Sequence, residues 1–519
     1  MNSDNQKVKI YRVTFISILS ILTILRLIYV RLLPLSADEA YFWQWSRHLD
    51  LCYYEHPPMT GIIVALFTLF KGTPLTVRLA PIVLVLGTTI LVYLLAKEMF
   101  QDERVAFWSG LLVNIAPIFA VGAIITTTDS PLGFFWMLTL YSVYKATSSE
   151  KRYWWWLSGL ALGFSFLTKF ISIFILLSVF FFLLFSKEKR KWLMRKEPYL
   201  TFILALLVFS PVIVWNASRG WVTFKYNLGM RYISSDASLK FKYFLEYFGG
   251  QALILSPFLF LGCLAGIIHS GYRGFRNNDD KFLFLFFTSI TVLFLYSIYS
   301  WFDRVAPHWV ACGYLTSFIA VPVLFFGEER KKLYRNLWIT MISFGIFMTL
   351  FIHIAPLYPK ILTSIVKSKR GGSNELKVFL SGWMKDLAKK LSLIKKEMAE
   401  DTFILCRGYA LASYMAFYTD GQYETYSIGQ TTTHGHAYEY WSDFNSLVGK
   451  DAIFVKEGEK EGGYIEKLKP GFDEIKKEPV FEVKRDGEVI KRFSIWRCYN
   501  FKGFEESASS VNRTSIVHR

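Results

Sequence analysis

The sequence predicts an all-α polytopic membrane protein that carries a small α/β domain at its carboxyl end. Of its 519 residues, 53% are hydrophobic and only 19% are charged, whereas about a quarter of a soluble chain is charged. Long apolar runs recur through residues 1–356, and the remaining residues contain none long enough to cross a bilayer. This composition excludes an intrinsically disordered chain and a disulfide-stabilised miniprotein.

Eleven apolar runs are predicted to be membrane-spanning helices, since a helix needs about 20 such residues to cross the hydrocarbon core. They are residues 11–33, 75–95, 105–125, 131–144, 154–168, 170–185, 200–215, 252–268, 282–299, 309–326 and 337–355. Residues 154–185 are also compatible with one kinked segment. Residues 57–70 are too short to span, and we expect them to form a helix at the membrane interface.

The short loops fix the predicted orientation, because cytoplasmic loops are enriched in Lys and Arg. Basic residues concentrate at 187–198 and 327–336, which lie on the same side if eleven spans are present. The sequence therefore predicts a multi-pass protein of the inner (cytoplasmic) membrane, with its amino terminus in the cytoplasm. Residues 1–356 form the membrane domain, and both the first outer loop, 34–74, and the domain 357–519 are extracytoplasmic.

One loop goes against this orientation. Residues 216–251 fall outside the cytoplasm but carry several basic residues, including Arg219 and Arg231. Either the predicted topology is wrong at this point, or these charges bind an anion.

The residues after 356 have a different pattern. A helical pattern over 374–400 is followed by strand-like runs at 402–405, 452–455, 479–483 and 493–497, which predicts a small α/β domain. Cys406 and Cys498 both lie in this domain, and whether they form a disulfide is left open.

Ionisable residues beside membrane spans are candidates for function, because placing charge there is costly. On the predicted topology six of them meet at the outer face. They are Asp38, Glu39, Glu55, His56, Asp129 and Lys169. A carboxylate can remove a proton from an acceptor while cations hold a phosphate leaving group. This set suits transfer of a sugar from a lipid-linked phosphate, and the sequence has neither a P-loop nor a strand-linked G-x-G-x-x-G for a soluble nucleotide.

The motifs around these residues carry a resemblance. They are D-E-A-Y-F-W from Asp38, Y-E-H-P-P-M from Tyr54, R-L at Arg78, T-D-S-P around Asp129 and L-T-K ending at Lys169. The chain resembles the polyprenyl-phosphate-sugar-dependent glycosyltransferases of the GT-C fold, the protein mannosyltransferase superfamily. It is most similar to the bacterial branch that includes the lipid A aminoarabinose transferase.

The resemblance implies a membrane glycosyltransferase with a polyprenyl-phosphate-linked sugar donor and an inverting single displacement. The implied acceptor is a glycolipid, polysaccharide or protein of the cell envelope, and the implied partners include the bilayer but no nucleic acid. No cofactor is required. A divalent metal ion held by Glu55 and either His434 or His436 is left open, although solvent-exposed histidines are the favoured interpretation.

The resemblance also implies roles for single residues. Asp38 matches the general base and Glu39 its acidic neighbour, while Asp129 matches a second acid that orients the acceptor or Asp38. Glu55 and His56 match a Glu-Lys pair whose Lys contacts the lipid phosphate.

His56 therefore departs from the family pattern, which leaves the identity of the donor more open than the type of reaction. Lys169 matches a second cation near the phosphate. Arg219 and Arg231 are added as candidates for the same anion from their position and charge alone.

Structural interpretations compete with these functional ones. Asp38 and Glu39 could end a helix in water, Asp129 could cap a helix, and Lys169 could extend to the interface. For the whole chain, the alternatives are a lipid-linked sugar transporter or flippase without chemistry and a non-catalytic membrane scaffold. Charges gathered at one face, without an internal repeat, favour the enzyme.

Overall fold

The computed structural model describes residues 2–149, 151–227, 238–326, 332–357, 378–429, 435–460, 463–485 and 487–504. The chain forms two compact units. The helical unit comprises residues 1–30, 56–60 and 78–355, and the sheet unit comprises residues 31–55, 61–77 and 356–519. Most of the first predicted outer loop therefore shares a unit with the C-terminal residues.

The described residues up to 357 are almost entirely helical. Their α-helices are α1 Asn2–Tyr29, α2 Ala37–Arg47, α3 Met59–Thr68, α4 Pro74–Phe100, α5 Glu103–Ile115, α6 Pro117–Gly122, α7 Asp129–Ser149, α8 Tyr153–Phe166, α9 Ile173–Phe185, α10 Glu197–Ser218, α11 Val222–Lys225, α12 Phe241–Leu255, α13 Pro257–Asn277, α14 Asp280–Tyr299, α15 Tyr314–Phe326 and α16 Lys332–Ile354. Short 3-10 turns lie at Phe170–Ser172, Arg190–Met194, Pro307–Gly313 and Ala355–Leu357.

Seven helical segments among the described residues are long and apolar enough to cross a membrane. They are Asn5–Tyr29, Pro74–Phe100, Glu197–Ser218, Pro257–Asn277, Asp280–Tyr299, Pro307–Phe326 and Lys332–Leu357. The predicted polytopic helical membrane protein is confirmed, and the count of eleven spans stays a prediction.

The prediction of one continuous helix over 105–125 is wrong. Helix α5 ends at Ile115 because Pro117 cannot continue it and forces Ala116 out of the helical region, to φ −71° and ψ 119°. The carbonyl of Ile115 accepts a hydrogen bond of 2.7 Å from the Thr349 hydroxyl, so α16 satisfies the group that the break exposes.

A second break separates α8 from α9. Lys169 has the extended conformation, with φ −153° and ψ 144°, between the end of α8 and the 3-10 turn Phe170–Ser172. Helix α8 itself lies close to α10, since a Cβ on Gly163 would fall 2.5 Å from the Cβ of Val208. The close packing of α8 on α10 and the helix break after α8 together fix the position of Lys169 at the end of α8.

The C-terminal residues form a six-stranded sheet with the order β2-β1-β3-β6-β4, and β5 pairs with β6. The strands are β1 Phe403–Arg407, β2 Thr425–Ile428, β3 Ala452–Glu457, β4 Phe472–Lys477, β5 Phe481–Arg485 and β6 Glu488–Phe501. Strands β2, β1 and β3 are parallel, and β6 is antiparallel to its neighbours. The helices of this part are α17 Trp383–Lys395, α18 Tyr409–Tyr418, α19 Tyr438–Trp441 and α20 Tyr464–Leu468.

The predicted α/β domain is thus confirmed, and its four predicted strands correspond to β1, β3, β5 and β6. Strands β2 and β4 are additional. The burial pattern of β4 is mostly exposed, which explains why its sequence lacks the apolar character of a core strand.

Each face of the sheet covers a separate apolar core. One core contains Cys406 together with residues of α17, α18 and α2. The other contains Cys498 together with residues of α20. All five cysteines are buried free thiols. Cys406 and Cys498 face opposite sides of the sheet, so their geometry does not allow a disulfide.

Candidate functional site

The predicted site residues fall into two clusters, one in each unit. Asp38, Glu39 and Glu55 belong to the sheet unit, and we call them the acidic cluster. The helical unit contains the other three predicted residues, His56, Asp129 and Lys169. We call them the cationic cluster after its two basic residues.

A capping box positions the first two acids. The hydroxyl of Ser36 accepts a hydrogen bond of 3.3 Å from the Glu39 N–H, and the Glu39 carboxylate accepts one of 2.9 Å from the Ser36 N–H. Glu39 is fully buried. Asp38 precedes it in the first turn of α2 and is exposed, with its Oδ1 accepting a hydrogen bond of 3.0 Å from the Tyr409 hydroxyl. Asp38 is therefore the accessible carboxylate, and Glu39 holds the start of the helix.

Glu55 is a buried carboxyl, only 1% exposed. Its Oε1 accepts hydrogen bonds of 3.1 Å from the Tyr41 hydroxyl and 2.8 Å from the His436 backbone N–H. The Tyr41 hydroxyl in turn accepts one of 3.0 Å from the Ala437 N–H. Burial raises the pKa of the Glu55 carboxyl, and it also raises the pKa of the Tyr41 phenol. Glu55 thus connects the first loop to the turn before α19.

The metal ion that the sequence leaves open at Glu55 stays a prediction. No group of three or more His, Cys, Asp or Glu side chains is arranged to hold one anywhere in the described part of the chain. The imidazole Nδ1 of His436 lies 3.0 Å from the Glu439 carboxylate, and the backbone N–H of His436 donates a hydrogen bond to Glu55. His434 lies outside the described residues.

An open pocket in the helical unit contains two of the predicted cations. It encloses about 370 Å³ of empty space, including its mouth, and is lined by His56, Lys169, Phe170, Ile171, Asn227, Tyr296 and Trp309. The Met59 N–H donates a hydrogen bond of 3.0 Å to the Leu167 carbonyl. This bond joins the segment that follows His56 to the end of α8, which carries Lys169.

Lys169 forms an ion pair with Asp129, the first residue of α7. The side chains are 13% and 29% exposed, respectively. The start of α7 also favours a carboxylate through the helix dipole. Asp129 therefore fixes the position of the Lys169 ammonium at the pocket.

Arg219, one of the two predicted arginines, is not brought to this pocket. Arg219 is exposed, follows the last residue of α10 and lies 4.4 Å from the ring of Trp215. It does not line the pocket, so its position gives no support to the prediction that it binds the same anion as Lys169. Arg231 lies outside the described residues.

Several residues that contact the acidic cluster or line the pocket were not predicted. Tyr409 contacts Asp38 across 371 positions of sequence, and nothing in the sequence pattern indicates that contact. The strand-Gly-helix pattern at Arg407-Gly408-Tyr409 was the available signal for the position of Tyr409. Asn227 and Tyr296 line the pocket, and Tyr296 lies inside an apolar span where only its hydroxyl distinguishes it.

The acidic cluster can accept a proton, and the pocket can bind an anion. The exposed Asp38 carboxylate can accept a proton, and Tyr409 orients it. An ammonium and an imidazole at an open pocket can bind an anion, while the rings of Tyr296 and Trp309 offer apolar surface beside it.

Comparisons with known proteins identify similar sequences. Residues 55–215 match the family described as dolichyl-phosphate-mannose-protein mannosyltransferase. The lipid A galacturonosyltransferase RgtD of Rhizobium johnstonii is 25% identical over 321 residues, which cover 61% of this chain and 66% of RgtD. The undecaprenyl phosphate-alpha-4-amino-4-deoxy-L-arabinose arabinosyl transferase 2 of Proteus mirabilis is 26% identical over 267 residues, which cover 49% of this chain and 47% of that protein.

The fold is also similar to a solved structure. ArnT from Cupriavidus metallidurans bound to undecaprenyl phosphate superimposes with a TM-score of 0.63 at 16% identity, covering 98% of this chain and 99% of ArnT. The predicted GT-C fold and the resemblance to polyprenyl-phosphate-dependent glycosyltransferases are therefore confirmed. RgtD and the arabinosyl transferase are both named as enzymes that transfer a sugar, as the sequence predicts for this chain, and the aligned region spans about two thirds of RgtD and about half of the arabinosyl transferase.

Proposed function

We propose that this chain is an inner-membrane glycosyltransferase that moves a sugar from a polyprenyl-phosphate donor to a glycolipid acceptor such as lipid A. The observation that carries the proposal is the open pocket with His56 and Lys169 in its wall. It lies in a bundle with the fold of a protein solved with undecaprenyl phosphate. The names of RgtD and the arabinosyl transferase support the lipid acceptor and the donor carrier.

In this mechanism the cationic cluster binds the donor phosphate. The Lys169 ammonium supplies fixed positive charge, and its ion pair with Asp129 keeps it at the pocket. His56 adds a hydrogen-bond donor, which carries positive charge when the imidazole is protonated. Both groups stabilise the negative charge that grows on the phosphate as the sugar departs.

Asp38 acts as the general base. Its carboxylate takes the proton of an acceptor hydroxyl while that oxygen attacks the anomeric carbon of the sugar. The bond between the anomeric carbon and the phosphate oxygen breaks at the same time, so polyprenyl phosphate leaves with the bonding electrons. A single displacement of this kind inverts the anomeric centre. The reaction takes place outside the cytoplasm, with the amino terminus of the chain inside.

The experiment is a transfer assay with the purified chain in detergent, a radiolabelled polyprenyl-phosphate sugar and lipid A. We expect label in lipid A with the wild type and a loss of about 10²- to 10⁴-fold in rate with Asp38→Asn. Asp50→Asn is the matched control, since Asp50 is a carboxylate of the same loop and accepts a hydrogen bond of 2.7 Å from the adjacent Leu51 N–H. Equal rates for Asp38→Asn and the wild type would disprove the assignment of the base.

A further inference from the structure

The segment between α9 and α10 concentrates positive charge at one end of the helical unit. We call residues 186–197 the basic turn. It contains six basic and two acidic side chains. The basic ones are Lys187, Lys189, Arg190, Lys191, Arg195 and Lys196, and the acidic ones are Glu188 and Glu197. A surface with this excess of positive charge attracts anions.

The carboxylates of the basic turn and of the start of α14 are paired with cations. Glu188 and Asp280 each lie 3.9 Å from the Lys189 ammonium. Glu197 lies 3.8 Å from the guanidinium of Arg152, which precedes α8. These pairs neutralise Lys189 but leave the arginines of the turn to other partners.

The two arginines of the basic turn are held in place by uncharged groups. Arg190 Nε donates a hydrogen bond of 2.9 Å to the Leu184 carbonyl, and the Arg195 guanidinium lies 4.7 Å from the Trp192 ring. Trp192 is buried against Trp155 of α8, with ring centroids 5.1 Å apart. Both arginines are exposed, and neither forms an ion pair with any described residue. Each guanidinium is therefore positioned with N–H groups that can bind a phosphate.

Exposed apolar side chains flank the basic turn on both sides. The Phe185 ring at the end of α9 lies 5.8 Å from the Phe275 ring of α13, and both rings are exposed. On the other side, Met194 is 94% exposed, and Tyr199 in α10 is exposed as well. Basic groups beside apolar ones suit a phospholipid, whose acyl chains cover the apolar surface while its phosphate meets the cations. A free phosphate ion would leave this apolar surface in water.

The basic turn and the pocket lie at opposite ends of α9. The pocket is lined by Phe170 and Ile171, which precede α9, and the basic turn follows its last residue. Helix α9 has 13 residues, which correspond to about 20 Å of length. A lipid at the basic turn is therefore distinct from the donor that we place at the pocket.

We propose that the basic turn binds the headgroup phosphate of an anionic phospholipid, with Arg190 and Arg195 as its main contacts. The site lies on the side of the helical unit that the predicted orientation places in the cytoplasm. It takes no part in sugar transfer, so it does not depend on the proposed function.

The test is native mass spectrometry of the full-length chain in detergent, titrated separately with phosphatidylglycerol, which is anionic, and phosphatidylcholine, which has no net charge. We expect wild type to bind phosphatidylglycerol more tightly than phosphatidylcholine. Joint replacement of Arg190→Ala and Arg195→Ala should weaken binding of phosphatidylglycerol by about tenfold or more and leave phosphatidylcholine unchanged. Lys196→Gln changes one exposed side chain and should weaken binding of phosphatidylglycerol by about threefold to fivefold. This single variant tests the proposal even if the double variant does not fold.

Lys242→Gln is the matched control for Lys196→Gln. Lys242 is an exposed lysine of the same unit, in α12, and its ammonium lies 3.8 Å from the Glu246 carboxylate. The control should change neither affinity, because this charge already has a partner.

Three results would overturn the inference. The first is equal binding of the two lipids by wild type. The second is wild-type affinity for phosphatidylglycerol in the double variant or, if that variant does not fold, in Lys196→Gln. The third is an equal loss in Lys196→Gln and Lys242→Gln, since the lipid would then respond to the total charge of the protein and not to the basic turn.

Discussion

Replacement of Glu55 by Ala should loosen the connection between the first loop and the turn before α19. Glu55 is 1% exposed and accepts hydrogen bonds from the Tyr41 hydroxyl and the His436 N–H. Removal of the carboxyl leaves two buried donors without this acceptor, and each such loss costs about 1–3 kcal/mol. We therefore expect the free energy of opening of this segment to fall by about 2–6 kcal/mol.

Hydrogen–deuterium exchange at the His436 and Ala437 amides reports this change directly. Each 1.4 kcal/mol corresponds to about a tenfold faster exchange when opening is in rapid equilibrium. Glu55→Gln keeps one acceptor oxygen of the same shape, so it should cause a smaller increase than Glu55→Ala.

Glu474→Ala serves as the control, because Glu474 is 55% exposed and its pair with Lys476 lies on the surface, where such pairs contribute about 0–1 kcal/mol. Unchanged exchange at His436 in Glu55→Ala would refute the reasoning, since it would mean that the buried carboxyl does not hold this turn.

Three further outcomes are expected. First, burial raises the pKa of Glu55 above its ordinary value of 4.5, so the folded protein binds this proton more tightly than the unfolded chain. The contribution of Glu55 to stability is then present below pH 4.5 and is lost as the pH rises through the folded pKa. Glu55→Gln should remove this pH dependence of the unfolding free energy. Identical pH profiles for wild type and Glu55→Gln would contradict the expectation. Second, Lys169→Met should raise the KM for the donor about tenfold or more without a comparable change for the acceptor in steady-state assays; an equal rise for both substrates would argue against a phosphate contact. Third, His56→Lys should bind undecaprenyl phosphate more tightly at neutral pH by titration, because Lys is then fully charged, whereas weaker binding would show that the imidazole makes a specific contact that an ammonium cannot replace.

The features that could be predicted from the sequence are those that depend on local composition or on a short motif. Long apolar runs identify spans because only about 20 consecutive apolar residues satisfy the bilayer core, and α4, α10, α14 and α16 lie where those runs predict. Lys169 was placed at the end of its helix correctly. Pro117 signals the helix break at Ala116 in the sequence, but the prediction of one span over 105–125 followed the hydrophobicity of the run and did not use that signal.

Contacts between distant segments could not be predicted in this way. Tyr409 and Asp38 are brought together by packing of α2 on α18, and no periodicity encodes that pairing. The hydrogen bonds that Glu55 accepts from the Tyr41 hydroxyl and the His436 backbone N–H were not predicted either. Every residue except proline has a backbone N–H, so the residue type at 436 does not indicate a hydrogen bond to Glu55. The burial of Glu55 could therefore be known only from the fold.

Simultaneous measurement of sugar transferred and undecaprenyl phosphate released tests the proposed reaction most directly. The purified chain is incubated with an undecaprenyl-phosphate-linked sugar and lipid A, and both products are quantified by mass spectrometry over time. A transferase releases one undecaprenyl phosphate for each sugar that appears on the acceptor, and with Asp38→Asn both products form about 10²- to 10⁴-fold more slowly. An intact donor that merely crosses to the other leaflet, with no free undecaprenyl phosphate, would identify a transporter and contradict the proposal.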